Sequence, residues 1–386
     1  MRTLRVLHVL TQLDLGGAQT STLDLLRSLD RHRFDPTLAA GRAGLLWPDA
    51  AAIPHLRLVT LPSLQRAIHP WRDTASILRL ARFMRRERFD IVHTHNSKAG
   101  ILGRWAAHLA RVPIIVHTIH GFAFHDEQGA GARWLYTSLE RRTASITHRL
   151  VSASTHDVDA GLRERIGHHA QYALIRYGID RQRFTVNGQP RHALRRQLGL
   201  PADAPIVGMI GCLKPQKAPL DFLRVCSLVA LQRPDARFLL IGDGALRPQV
   251  ERWRRRLGLE ERCLLLGWRR DIPALLHLMD VFVLTSRWEG LPIAMLEAMA
   301  SGRPVVVSRV GGASDVMTDG ENGYLVPPGD VRLFAHRVVS LLQHRALADR
   351  IGTAAAQRIN DDFETTRMVG QLASLYEALA AEQRLG

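Results

Sequence analysis

Short apolar runs alternate with polar stretches of helical spacing along the first 180 or so residues. LRVLHVL (4–10) is an almost continuous apolar run, as expected of a parallel strand covered on both faces. The polar loop TQLDLGG follows, then the helical pattern AQTSTLDLLRSLD. DIVHTHN (90–96), PIIVHTIHG (113–121) and HRLVSAST (148–155) repeat the theme of a strand running into a polar loop. WRDTASILRLARFMRRERF (71–89) reads as a basic amphipathic helix between two of them. This βα alternation predicts a doubly wound parallel sheet.

The pattern weakens at 176–200, a polar stretch with Gly, Pro and Asn that reads as a linker. It restarts at APIVGMIGCL (204–213) and continues through RFLLIGDG (237–244), RCLLLGW (262–268), DVFVLTS (280–286) and RPVVVSRVGG (303–312). The expected architecture is therefore α/β, with two Rossmann-like domains, 1–183 and 184–364, facing each other across a cleft. Residues 365–386 begin with a good amphipathic helix expected to pack back on the N-terminal domain. Ligands of such sheets sit at the carboxyl ends of the strands, so one ligand between the two domains is expected.

Composition is consistent with this. The chain has 386 residues, 46% hydrophobic and 23% charged, enough for two cores. The three cysteines, Cys212, Cys226 and Cys263, form no CxxC pair, which suits a reducing cytosol. MRTLRVLHVL is too short an apolar run for a signal peptide or a membrane span, and no later segment offers about twenty uninterrupted apolar residues. The net charge of +16 is compatible with nucleic acid, anionic lipid or phosphorylated substrates. The basic residues are spread rather than gathered in one recognisable module, so nucleic acid is not the expected partner.

Chemistry concentrates in SRWEGLPIAMLEAM (286–299). The loop after DVFVLTS leads to Pro292, expected at the first helical position, and a helix closed by Gly302. The amides and partial positive charge of that helix start suit a diphosphate. Carboxylates bind phosphate poorly but accept hydrogen bonds from hydroxyls, so Glu289 and Glu297 point to the sugars of a nucleotide sugar. From spacing alone, a helix-start charge and a surface carboxylate remain an alternative. Two of the chain's three lysines, Lys214 and Lys217, fall together in GCLKPQKAP (211–219). Gly16 and Gly17 would let a ligand approach backbone closely at another helix start. Neither that loop nor GDGALR (242–247) is GxGxxG, which excludes the nicotinamide-dinucleotide fingerprint. His93, His95, His117, His120 and His125 resemble scattered metal ligands, but no cysteine or spaced carboxylate joins them, and zinc is not expected. DVD (157–159) fits the first turn of a helix better than a metal-binding DxD, so no metal requirement is expected.

The run E-G-L-P-x-x-x-L-E-A-M-A-x-G-x-P-V-V, then G-G and NGYLVPPGD (322–330), resembles the retaining glycosyltransferases of family 4, of GT-B fold and bacterial surface-polysaccharide type. The Gly-Gly loop, DIVHTHNSKAGILGR, HTIHGF and KPQK extend the resemblance over nearly the whole chain. It implies that Glu289 contacts donor-sugar hydroxyls, that Glu297 contacts the ribose, and that the amides of Gly290 and Leu291 face the diphosphate and sugar. It gives Lys217 to the leaving diphosphate, with Lys214 within reach. Cys212 stands where the family pattern has Arg, and Ala218 where it has Gly. His120 matches the family's histidine near the donor sugar. IGDG, with Gly242, and GWRRD, with Trp268 and Arg269, flank the donor site, the latter at the nucleobase. The acceptor in bacterial relatives is often a lipid-diphosphate-linked sugar, for which Lys98 and Arg104 are candidates. The implied reaction is front-face transfer from a nucleoside-diphosphate sugar, commonly UDP-linked, with no cofactor, no metal and no dedicated base.

Such an acceptor would bring the enzyme from the bacterial cytoplasm to the inner face of the membrane. LQRAIHPWRDTASILRLARFMRRERF (64–89) mixes arginine with Leu, Ile, Trp and Phe and could lie on an anionic leaflet. Two rivals share the fold: a nucleotide-sugar epimerase, which needs no acceptor, and an inactive basic scaffold binding membrane or nucleic acid.

Overall fold

The computed structural model describes residues 2–385 except 43, 66, 125–127 and 186–190. His125 and part of the 176–200 stretch therefore lie outside the described residues. The chain divides into two compact units, residues 1–178 with 365–386, and residues 179–364.

The first unit holds a parallel sheet of β1 (Leu4–Leu10), β2 (Phe34–Ala40), β3 (Arg57–Thr60), β4 (Ile91–His95), β5 (Ile114–Ile119), β6 (Arg149–Ser152) and β7 (Tyr172–Leu174). Their order is β3-β2-β1-β4-β5-β6-β7, so the winding reverses between β1 and β4. The alternation of side chains along a strand assigns the two faces. Leu7 and Val9 of β1 and Val92 of β4 join Leu80, Met84 and Ala106 in the core under the helices Pro70–Glu87 and Ser97–Ala110. The intervening positions turn the other way: His8 pairs in register with His93 across β1 and β4. On that side run the helices Gly17–Ser28 and Thr365–Glu382, joined by Ser21 donating to Met368 Sδ at 3.5 Å. The C-terminal helix adds a fully buried Tyr376 whose ring meets Phe34 edge-on.

The second unit repeats the plan with β8 (Ile206–Ile210), β9 (Arg237–Ile241), β10 (Cys263–Gly267), β11 (Val281–Leu284), β12 (Val305–Ser308) and β13 (Tyr324–Val326). The order β10-β9-β8-β11-β12-β13 reverses between β8 and β11. Val281–Leu284 and Val305–Ser308 are buried at every position, as apolar runs covered on both faces must be.

Four local expectations change. The unit boundary falls after Gly178 rather than after 183. Most of the stretch read as a linker belongs to the second unit, where Arg191–Gln197 is helical, Arg191 pairs with Asp280 at 2.7 Å and Arg195 donates to Ala204 O. Pro292 is the extended N-cap (ψ 107°) of the helix Ile293–Ala300 rather than its first turn. Arg104, expected at the acceptor, is fully buried inside the helix Ser97–Ala110, donating to Glu140 at 2.7 Å, Gly100 O and Thr147. It ties that helix to Ala130–Ala144, and a guanidinium without solvent access cannot receive an acceptor phosphate. DVD sits as expected in a helical turn: Asp157 N donates to the N-cap Ser154 at 3.1 Å.

Candidate active site

In the second unit, the loops after β8 and β11 flank the point where the sheet order reverses, the place such sheets offer a ligand. The loop after β8 closes with the 3-10 turn Pro215–Lys217 and then Ala218, whose φ of +45° is left-handed. That conformation explains why the family pattern has Gly here; Ala holds it against steric cost. Thr285, next after β11, pins the turn by donating to Ala218 O at 3.0 Å.

This geometry brings Lys217 and Glu289 together. Lys217 Nζ lies 2.5 Å from Glu289 Oε1, and Ser286 Oγ donates to the same oxygen at 2.5 Å. Gln216 Nε2 reaches Trp288 O at 3.0 Å and Glu289 Oε2 at 3.4 Å. The carboxylate is thus nearly buried and surrounded by donors. Arg287 is committed to Asp221 at 2.6 Å. Glycines then fit the neighbouring loops around the pair. Gly311 (φ +53°) lies so close that a Cβ would stand 2.1 Å from Glu289 O. Gly242 (φ +124°) would put a Cβ 2.1 Å from Gly211 O, so packing already accounts for it.

Glu297 lies about one turn along the helix Ile293–Ala300, half-buried, and Gly290 and Leu291 stand just before that helix, buried. Lys214 opens the Pro215–Lys217 turn. Trp268 is a partly exposed ring after the edge strand β10, and Arg269 is paired twice to Asp271, at 2.8 and 2.6 Å.

In the first unit the strand ends carry different chemistry. Gly16 caps the helix Gly17–Ser28 in extended backbone, and an added Cβ would meet only the flexible end of Gln19. The packing around it therefore does not by itself demand glycine at 16. Lys98 opens the helix after β4 and pairs with Asp73 at 2.8 Å. His120, after β5, has both ring nitrogens engaged: Nδ1 with Tyr177 Oη at 2.5 Å and Nε2 with His95 Nδ1 at 3.2 Å. His95 Nε2 continues to His8 Nδ1 at 3.0 Å. His93 sits between Tyr376 Oη (2.5 Å) and Thr118 Oγ1 (2.6 Å). His117 faces the opposite side and meets Thr94 Oγ1 at 2.9 Å. Burial drives His8 and His120 down to about 3, and His93, His95 and His117 well below the usual histidine range. They are neutral at pH 7.

His8, His93 and His95 bring one nitrogen each within 4.8 Å of the others, the spacing a metal ion could use. Yet His93 and His95 spend both nitrogens on side-chain partners. Sequence reasoning missed His8 and Tyr177, which only strand register and chain return bring to this cluster, and also Gln216 and Ser286. The position of Gln216 inside KPQK was the available signal for it.

Two domain families match the chain in tandem: "Glycosyl transferase 4-like domain" over residues 16–178 and "Glycosyl transferases group 1" over 204–344. The UDP-Gal:alpha-D-GlcNAc-diphosphoundecaprenol alpha-1,3-galactosyltransferase of Escherichia coli is 32% identical over 378 residues, covering 97% of this chain and 96% of that one. The N-acetyl-alpha-D-glucosaminyl L-malate synthase of Bacillus anthracis is 26% identical over 323 residues, 82% of each chain. HepE of Anabaena, crystallised with UDP and glucose, superposes with a TM-score of 0.83 at 22% identity, covering 97% of this chain and 100% of that one. WaaG, a glycosyltransferase involved in lipopolysaccharide biosynthesis, gives 0.80 at 16% identity, covering 96% and 99%. Sequence match and fold agree: this chain belongs to the family-4 glycosyltransferases of GT-B fold, enzymes that take their sugar from a nucleotide donor.

Proposed function

We propose that this glycosyltransferase moves a hexose from a UDP-sugar, with retention at the anomeric carbon, to a hydroxyl of a sugar carried on a lipid diphosphate. The observation that carries the reading is the Lys217–Glu289 pair, 2.5 Å apart where the second sheet reverses. It sets a cation for a leaving diphosphate beside a carboxylate for sugar hydroxyls. The choice of UDP and of a lipid carrier is supported by the E. coli relative, named for both, and by HepE, crystallised with UDP.

In this reading Glu289 accepts from hydroxyls of the donor sugar and Glu297 from the ribose, while Trp268 and Arg269 border the base. The amides of Gly290 and Leu291 and the start of the helix Ile293–Ala300 face the diphosphate. As the glycosidic bond breaks, positive charge grows on the sugar and negative charge on the diphosphate. Lys217, assisted by Lys214, stabilises the latter, and the leaving phosphate takes the acceptor's proton. Glu289 holds the Lys217 ammonium in place before substrate arrives. Gly16 and Gly17 allow close approach from the first unit's loop. Gly242 supports the loop after β8 rather than touching substrate. His120 borders the donor sugar, and Lys98 remains the acceptor candidate, its charge already matched by Asp73.

Docking to the cytoplasmic face of the membrane accompanies this reading. Trp71 (87% exposed) and Trp134 (68%) project from the helices Pro70–Glu87 and Ala130–Ala144, which flank Ser97–Ala110. Arg72, Arg79, Arg82 and Arg86 are exposed on the first of these helices. Each arginine near an anionic leaflet adds about 1 kcal/mol. Salt-sensitive sedimentation with anionic liposomes, weakened by Trp71→Ser, is the expected result; indifference to liposomes would refute docking.

The test of function is nucleotide release from a panel of UDP-, GDP- and ADP-sugars in EDTA, with and without a lipid-diphosphate N-acetylglucosamine acceptor. UDP release that needs the acceptor and disappears in Glu289→Ala is expected. Epimerised sugar without acceptor would move the protein to the epimerases. Silence across the panel, with no nucleotide binding by calorimetry, would leave a scaffold.

A further inference from the structure

His8, His95, His120 and Tyr177 are joined in a line. The rings of His8 and His95 are within 14° of parallel with centroids 5.3 Å apart and nitrogens 3.0 Å apart, the geometry of edge-to-edge rings sharing an in-plane hydrogen bond. His95 and His120 are joined in the same way but tilted by 32°, with centroids at 5.4 Å and nitrogens at 3.2 Å, and His120 meets Tyr177 at 2.5 Å. A neutral imidazole carries one N–H and one lone pair. Each interior ring must therefore donate on one side and accept on the other, so the whole line points one way or the other.

The ends decide which. His8 Nε2 is buried and has no hydrogen-bond partner among the described residues. At the other end, a cavity of about 20 Å³, room for one water, borders His95, His120 and Tyr177 and is lined also by Ser21, Thr22 and Thr118. Only the His8 end is sealed. If protons pointed toward His8, a buried N–H would be left without an acceptor at Nε2; if they point away, only a lone pair is left. An orphaned buried N–H is the rarer and costlier of the two.

We propose that His8, His95, His120 and Tyr177 form a hydrogen-bond chain of one fixed polarity, every shared proton pointing from His8 toward Tyr177, and that this chain fixes His120 as its Nδ1–H tautomer with His8 and His95 as positioning residues. The importance of that tautomer rests on the reading that His120 borders the donor sugar. With Nδ1–H given to Tyr177 and Nε2 filled by His95, the His120 ring neither abstracts nor supplies a proton in transfer. It is held as a neutral, oriented wall, and the Tyr177 hydroxyl proton is directed out of the chain. Of the three histidines within ligating distance, His8 and His95 belong to this chain and His93 is held between Tyr376 and Thr118. A metal there would have to displace bonds that His93 and His95 already make with both ring nitrogens.

The test uses the whole protein, labelled with 15N in histidine, and multiple-bond 1H–15N correlation spectra at pH 7.5. Signals are assigned by their loss in His8→Asn, His95→Gln and His120→Gln. The expected result is Nδ1–H at His8, His95 and His120. An Nε2–H at His95 or His120 would overturn the proposal. So would zinc, copper or nickel bound one to one after dialysis and lost in His8→Phe. The transfer assay supplies the second arm. His8→Phe removes the terminal donor, whereas the Asn side chain of His8→Asn keeps an N–H near the Nδ1 position. His8→Phe should lower kcat about tenfold with donor KM within about twofold, and His8→Asn should recover most of it. An unchanged kcat in His8→Phe, with Glu289→Ala inactive, would sink the positioning role and leave the proposed function standing. If the wild type transfers nothing, the proposed function fails instead, and the tautomers still decide the polarity of the chain.

Discussion

The two units share a plan and differ in what they place at the carboxyl ends of their central strands. The first fills that region with neutral, buried imidazoles; the second sets an ammonium against a carboxylate and surrounds them with glycines. Rings that satisfy one another across β1, β4 and β5 are part of a core, and their chemistry is orientation. In the proposed function, the Lys–Glu pair on loops held by Thr285 and packed against Gly311 offers its charge to a ligand. The same winding thus yields a rigid wall in one unit and an electrostatic grip in the other.

Acid should separate the two most strongly. His8, His93, His95, His117 and His120 have folded values depressed by burial, so the unfolded state binds more protons below about pH 6.5. Their contribution to stability is complete above that pH and is lost as pH falls toward about 3, the folded value of His8 and His120. Each such group costs up to about 1.4 kcal/mol per pH unit in that window. Among the described residues the second unit buries no histidine. Hydrogen exchange followed by mass spectrometry at pH 7.5 and 5.5 should show amides of the first unit losing protection first; equal losses in both units would contradict the contrast.

Next in size is Arg104. Arg104→Met strands Glu140 in the interior and should destabilise the first unit by about 3–5 kcal/mol, read from urea unfolding, while Arg104→Met with Glu140→Leu restores most of it. An Arg104 that met substrate would instead leave stability alone and alter KM. Lys217→Ala should retain the fold by circular dichroism and lose about 10²–10³ in kcat, the range for removing one preorganised charge-stabilising group. Full activity would empty the second unit's grip of its proposed role. Smallest is Ala218→Gly, which relieves left-handed strain and should raise stability by about 1 kcal/mol with activity retained; a loss of stability would mean the turn is not strained.

The sequence carried the βα order, the restart at 204 and the Glu289–Glu297 segment because each is a local pattern. Lys217 was legible because lysine is scarce in this chain. His8 was not: a lone histidine in an apolar strand acquires partners only when β1 and β4 align it with His93 and when His95 turns to the same face. Arg104 misled for a related reason. Its helix presents one face to solvent and one to Ala130–Ala144, and the pattern around HNSKAGILGR does not say which face meets Glu140. The 176–200 stretch looked like a linker because it is polar, but Arg191 and Arg195 find carbonyl and carboxylate partners in the second unit.

The first unit is completed by the helix Thr365–Glu382, whose Tyr376 caps His93 and whose Met368 meets Ser21 and Gly178. That has a consequence for synthesis on the ribosome. The second unit is continuous, from Ile179 to Glu364, and its strands have all been made before the helix Thr365–Glu382 is translated. Of the two units, the one begun first is therefore the one finished second. A nascent chain stalled or cut before residue 365 would carry a formed second unit behind an open histidine layer exposed to water, and such a fragment is a natural client for chaperones and proteases.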